Sequence, residues 1–181
     1  ESERAATEYL AAQPTAYWLT PEQDPIGTAS GTVNSLISQA RDQKVGLALV
    51  VYGLPERDCG NHSAGGLPTD QYQSWIGEIA AALEIAPDVK KAVILEPDSL
   101  ALAPECGNIE ERSTQLHEAV NTLAGTATWI YLDGGHSGWL PADKMASMIS
   151  SVGVNDKIRG FATNVSNYRS TYDEFAYAEA V

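Results

Sequence analysis

Asp58 and Asp98 are the residues of this chain whose types and spacing best suit chemistry. Each follows a short apolar run that reads as a β-strand, residues 47–52 for Asp58 and Ala92-Val93-Ile94-Leu95 for Asp98. Adjacent strands of a sheet lie about 4.8 Å apart, so carboxyls at neighbouring strand ends can approach within one side-chain length. Two carboxyls that close resist simultaneous ionisation, which lifts one pKa toward neutrality and makes a general acid. Spacing alone fits two solvated or helix-capping aspartates equally well. Arg57 reads as an ion-pair residue, and Glu96 as an anchor for backbone or for a neighbouring strand. Asp133 ends another apolar run and leads into Gly134-Gly135-His136-Ser137-Gly138-Trp139. His136 has no HxH or HExxH partner, which favours a structural or ligand-contacting histidine over a metal ligand. Trp18, Tyr52, Trp139 and Tyr168 fall at strand ends, and flat rings beside carboxylates suit sugar rings stacked over a floor. Trp75 and Trp129, inside a helix stripe and a strand, are expected in the core. There is no GxSxG elbow, no GxGxxG after the first strand and no P-loop, so a serine hydrolase, a dinucleotide site and a triphosphate site lack support.

The elements that would position these residues alternate along the chain. Strands are expected at 16–19, 47–52, 92–95, 128–132 and 158–163. Helices are expected at 31–43, at 72–83 with Thr69 or Asp70 as cap, and at 110–123, 142–149 and 171–180. Five β-α units in order predict an α/β fold with a parallel sheet. The run 47–52 is continuous enough to be buried on both faces. Polar residues gather at the C-terminal strand ends, where parallel folds and barrels bind ligands, and this loop chemistry fits a barrel better than an open sheet. No repeat, low-complexity tract or linker divides the chain, so residues 1–181 are expected to form one domain.

A hydrophobic fraction of 44% supplies a core, and 24 acidic against 11 basic residues give a net charge of -13. That acidity excludes nucleic acid and anionic membrane surfaces as partners, since both demand a basic face. No run approaches the roughly 18 apolar residues of a membrane span. The two cysteines, Cys59 and Cys106, sit in loop-like surroundings as two free thiols or as one disulfide. A bridge is the preferred reading and implies an oxidising compartment. Closing about 47 residues would stabilise by roughly 4 kcal/mol and would pin two strand-end loops together.

Four ordered stretches resemble the signatures of glycoside hydrolase family 6, the cellulases and cellobiohydrolases. They are Val50-Val51-Tyr52-Gly53-Leu54-Pro55-Glu56-Arg57-Asp58-Cys59, Ile94-Leu95-Glu96-Pro97-Asp98-Ser99-Leu100, Asp133-Gly134-Gly135-His136-Ser137-Gly138-Trp139 and Asn164-Val165-Ser166-Asn167-Tyr168. The resemblance implies a distorted β/α barrel of seven strands. It implies that Asp98 is the general acid and that Asp58 raises the acid's pKa and steadies developing positive charge. Tyr52 would press on the distorted sugar ring, and Ser63 would hold the nucleophilic water through a mobile loop. Trp18 and Trp139 would be stacking platforms, with His136, Asn164 and Asp133 as supporting groups in substrate binding. Cys59 and Cys106 match the family's first disulfide. The family inverts anomeric configuration without metal or cofactor, so no glycosyl-enzyme forms.

Gly53 departs from the Asn or Asp often found at its position, and the sixth and seventh strands, a late carboxylate loop proposed as base, a Lys/Glu substrate segment and the second disulfide's cysteines find no match. A full β/α barrel runs to about 250 residues. The chain is therefore expected to be the N-terminal portion of a barrel, with the base beyond Val181. A secreted, monomeric β-1,4-glucanase is expected, and the short loop from Cys59 to Thr69 favours endo action, with a cellobiohydrolase or a non-catalytic glucan-binding fragment as alternatives. Its partner would be cellulose or cello-oligosaccharides, and a carbohydrate-binding module outside this chain would be compatible.

Overall fold

The computed structural model describes residues 2–60, 63, 65–125 and 127–181. Five parallel strands form one sheet in the order β1-β2-β3-β4-β5: β1 (Tyr17–Leu19), β2 (Leu47–Val51), β3 (Lys91–Leu95), β4 (Thr128–Asp133) and β5 (Gly160–Ala162). Spatial order equal to chain order is the arrangement of a β/α barrel, but β1 and β5 stand at opposite edges and do not close on each other. Register is continuous, with Leu49 beside Val93 and Val93 beside Ile130, so all strand C-termini face one edge.

Parallel neighbours need crossover connections, and helices supply them. They are α2 (Ala29–Gln43), α3 (Thr69–Glu84), α4 (Ser99–Cys106), α5 (Ile109–Leu123) and α6 (Ala142–Ser151), flanked by α1 (Ser2–Ala11) and α7 (Thr171–Ala180). Val33, Ile37 and Ala40 of α2, and Tyr72, Trp75, Ile76, Ile79 and Leu83 of α3, bury stripes at helical spacing. They cover Leu47, Leu49, Val51, Val93, Leu95, Ile130 and Leu132 on one face of the sheet. Lys91 is fully buried at the start of β3, where its ammonium donates to Leu83 O at 2.9 Å and Ala86 O at 2.6 Å, capping the end of α3.

The sequence expectation fails at several points. The run 47–52 is buried on both faces only toward its C-terminal end: Val50 is buried, but Ala48 on the same face is exposed, and Ala92 and Ile94 of β3 are half-buried, because the unclosed sheet leaves its concave face partly open. Trp129 is 42% exposed rather than in the core, with Lys90 Nζ at 5.9 Å and Arg159 Cζ at 5.8 Å from its ring. Helix α3 starts at Thr69 with Pro68 at the cap, so neither Thr69 nor Asp70 caps it. Proline's fixed φ suits that entry. Helices α1 and α4 are additional. In α1 no residue is buried; in α4 nearly every position is apolar and Pro104 lies inside. Cys106 is consequently the last residue of a helix and not part of a loop.

Candidate active site

The C-terminal strand edge carries a strained rim. Glu56, Asp58, Cys59, Glu96, Asp98 and Asn164 hold φ between 50° and 67°, six of the eight non-glycine residues with positive φ among those described. Each such residue costs about 1–2 kcal/mol, a cost that concentrates where side chains must point in fixed directions. Asp58 lies in a short 3₁₀ turn, Arg57–Gly60, after β2, and Asp98 is the N-cap residue of α4 after β3. The disulfide between Cys59 and Cys106, with 5.5 Å between Cα atoms, joins that turn to the end of α4.

Both aspartates face one cleft of about 580 Å³, lined also by Tyr52, His136, Trp139 and Asn167. The Tyr52 hydroxyl donates to Asp58 Oδ2. Burial, reinforced by the Asp58 carboxylate, pushes the Tyr52 hydroxyl pKa up, so it stays protonated as a donor. Asp98 is 8% exposed, and burial pushes its pKa above the ordinary carboxyl value. Hydrogen bonds from Ser166 and Asn167 oppose that rise, and the Asp58 charge adds to it. The Asn167 amide stands 3.3 Å from Asp98 Oδ2. From behind, Asp133 Oδ2 accepts from the backbone N–H of Asp98 at 2.8 Å and of Gly135 at 3.0 Å, fixing the turn that aims Asp98. The arrangement can deliver one proton to a ligand atom seated over flat rings.

The other expected residues divide between the cleft wall and its support. Trp18 meets the Tyr52 ring edge-on at 5.7 Å between centroids, and Trp139 lies 5.2 Å from His136. Ser63 Oγ accepts from Arg57 Nε at 3.1 Å. Its loop neighbours Asn61, His62 and Ala64, on which the short-loop expectation partly rests, lie outside the described residues. Asn164 turns into its own loop, donating to Arg169 O and accepting from Arg169 N, while Ser166 and Asn167 of the same motif line the cleft. Tyr168 is 76% exposed and does not line the cleft. Sequence reasoning passed over Ser166, Asn167 and Leu102, all of which line it. The signal for the first two was their place inside the Asn164–Tyr168 motif; Leu102 gave none. Arg57 pairs with Glu22 at 2.6 Å and sits 4.2 Å over the Tyr52 ring, serving as both ion-pair partner and support. Among the described residues no group of three or more His, Cys, Asp or Glu could hold a metal ion, and no helix is long and apolar enough to cross a membrane.

Burial pushes the Asp133 carboxyl from its ordinary 3.8 to about 7, against the pull of two N–H donors and aided by the Asp98 charge. The folded chain then holds a proton there that the unfolded chain releases, so stability falls as pH rises from about 4 to about 7. The shift sets an upper bound of about 4 kcal/mol on this contribution. Chemical denaturation at pH 4.5 and 7.5 is expected to show lower stability at the higher pH and a shallower decline in Asp133→Asn; equal slopes would assign the decline elsewhere.

A family model described as "Glycosyl hydrolases family 6" matches residues 1–180. Endoglucanase 1 of Streptomyces sp. (strain KSM-9) is 39% identical over 181 residues, covering 96% of this chain and 49% of that protein. Exoglucanase 3 of Agaricus bisporus is 31% identical over 80% of this chain and 41% of its own length. The solved endoglucanase Cel6 from Mycobacterium tuberculosis, in complex with methyl-cellobiosyl-4-deoxy-4-thio-β-D-cellobioside, superposes with a TM-score of 0.88 at 38% identity, covering 97% of this chain and 60% of that one. The chain thus spans about half the length of these relatives.

Proposed function

We propose a function from one premise: the chain belongs to glycosyl hydrolases family 6. On that premise the cleft hydrolyses internal β-1,4-glucosidic bonds of cellulose with inversion of configuration. The observation that carries the reading is Asp98, its carboxyl pushed above the ordinary value by burial, in one cleft with Asp58, Tyr52 and Trp139. Asp98 protonates the glycosidic oxygen as the bond to the anomeric carbon breaks, and the sugar leaves as a neutral alcohol. Asp58 places negative charge beside the oxocarbenium-like centre, and Tyr52, held by Asp58 and by Arg57 above its ring, bears on that sugar. A water oriented by Ser63 attacks from the opposite face and gives up its proton to a carboxylate general base as its bond to the anomeric carbon forms, which inverts the centre in one displacement. Trp139 and Trp18 offer the flat faces against which neighbouring glucose rings lie. The disulfide supports a secreted, extracellular protein.

Endo action is supported by the endoglucanase relative, more similar at 39% identity than the exoglucanase at 31%, and by the short stretch between Cys59 and Thr69. The experiment is viscometry of soluble cellulose against reducing ends released. A steep fall in viscosity per new end is expected. A slow fall would indicate exo action, and binding of cello-oligosaccharides without any new ends would indicate a non-catalytic glucan-binding protein.

A further inference from the structure

We propose that Glu96 and Arg112 are positioning residues that together grip the backbone of residues 53–56 and so set Tyr52 and Asp58 for the reaction. The inference rests on the function proposed above for the cleft. Neither side chain reaches the cleft: Glu96 is fully buried and Arg112 is 2% exposed. They reach the loop between them from different elements, Glu96 from the end of β3 and Arg112 from the first turn of α5.

The carboxyl takes the loop's donors. Glu96 Oε2 accepts from Gly53 N and Leu54 N, both at 3.0 Å, and Oε1 accepts from the Tyr72 hydroxyl at 2.9 Å. The guanidinium takes the loop's acceptors. Arg112 Nη1 donates to Pro55 O at 2.5 Å and Nη2 to Glu56 O at 2.7 Å, while Gln115 holds Nη1 from the side at 2.8 Å. Further backbone groups of the segment are paired as well. Leu67 N donates to Gly53 O at 3.0 Å, Arg57 N to Leu54 O at 3.2 Å, and Pro55 has no N–H. Sterics close the grip from both sides. A Cβ on Gly53 would stand 2.6 Å from the Trp75 ring, and one on Gly66 would stand 1.9 Å from Leu54 O.

The gripped segment is bracketed by the residues that matter. Tyr52 precedes it, and Arg57 and Asp58 follow it directly; Arg57 Nη1 closes the turn on Tyr52 O at 2.6 Å. The Tyr52 hydroxyl meets Asp58 only if both ends of the segment keep their spacing, and the positive φ at Glu56 and Asp58 gives the loop no relaxed conformation to fall back on. A strained loop keeps its geometry when its surroundings over-determine it. Glu96 does this two residues from Asp98, so one strand end fixes the acid and the opposing wall together.

Glu96→Gln turns an amide NH2 toward donors, and Arg112→Lys replaces a two-pronged donor by a single ammonium that cannot span both carbonyls in the same way. A misplacement of about 1 Å costs roughly 10²-fold in rate, so each variant is expected to lose about that in kcat while KM for cellotetraose stays within about threefold. Lys91→Met is the control, because Lys91 is equally buried but serves the other end of β3. It is expected to lose stability with its kcat near the parent value. Amide hydrogen exchange gives a readout that does not depend on hydrolysis. Gly53 and Leu54 are expected to exchange at least about tenfold faster in Glu96→Gln, with Val93 and Leu95 unchanged. Unchanged protection at Gly53 and Leu54, or a kcat loss matched by Lys91→Met, would overturn the proposal. Absence of hydrolysis in the parent chain would overturn the proposed function instead, leaving the exchange result to decide the grip.

Discussion

Asp98→Ala is expected to lose about 10²–10⁴-fold of the rate on soluble cellulose, the range that a positioned proton donor contributes. Among the described residues the carboxylate's side-chain bonds are the long ones at 3.3–3.4 Å from Asn167 and the one from Ser166, so its removal leaves the sheet and its helices standing. The turn itself is held through backbone, by Asp133 on the Asp98 N–H. Reducing-end assays with a thermal melt alongside separate the two effects: lost rate with an unchanged melt supports the acid role. Retained rate would remove Asp98 from the mechanism.

The second large effect is on stability. Replacing Cys59 and Cys106 together by serine is expected to lower the unfolding free energy by about 4 kcal/mol, the loop-closure value for the 47 residues between them. Domains of this size hold about 5–15 kcal/mol in all, so the reduced chain would sit near its limit. The position sharpens the consequence. The bridge joins the residue after Asp58 to the helix that begins just after Asp98, so its loss also loosens the spacing of the two carboxyls. Denaturant titration of the double variant measures the first effect. A loss under about 1 kcal/mol would mean that the native loops already restrict the unfolded chain as much as the bridge does.

Much of this was legible in the residues. Five strands were readable because β2, β3 and β4 are short, dense apolar runs whose alternate side chains meet amphipathic helices, and the period of α2 and α3 is plain in Val33, Ile37, Tyr72, Trp75 and Ile79. What was not legible has physical causes. Helix α4 lacks a polar face, so periodicity could not mark it, and the position of Cys106 at its end followed that helix. Trp129 sits on the face that closure would cover, and strand patterning says which face a residue takes but not whether that face is covered. In the motif 164–168, backbone geometry and not residue type decided that Asn167 turns toward Asp98 while Asn164 bonds its own loop. Glu96 was readable as an anchor, but its partnership with Arg112 joins residues on two elements through a third, which no local spacing shows.

The most direct measurement is leaving-group dependence. A dinitrophenyl β-cellobioside departs without a proton, whereas the glycosidic oxygen of cellotetraose needs one. Both substrates are compared between the parent chain and Asp98→Ala. If Asp98 is the acid, the variant loses about 10²–10⁴-fold on cellotetraose and no more than about tenfold on the dinitrophenyl substrate. Equal losses on the two substrates would contradict proton donation by Asp98 and with it the mechanism proposed for this cleft.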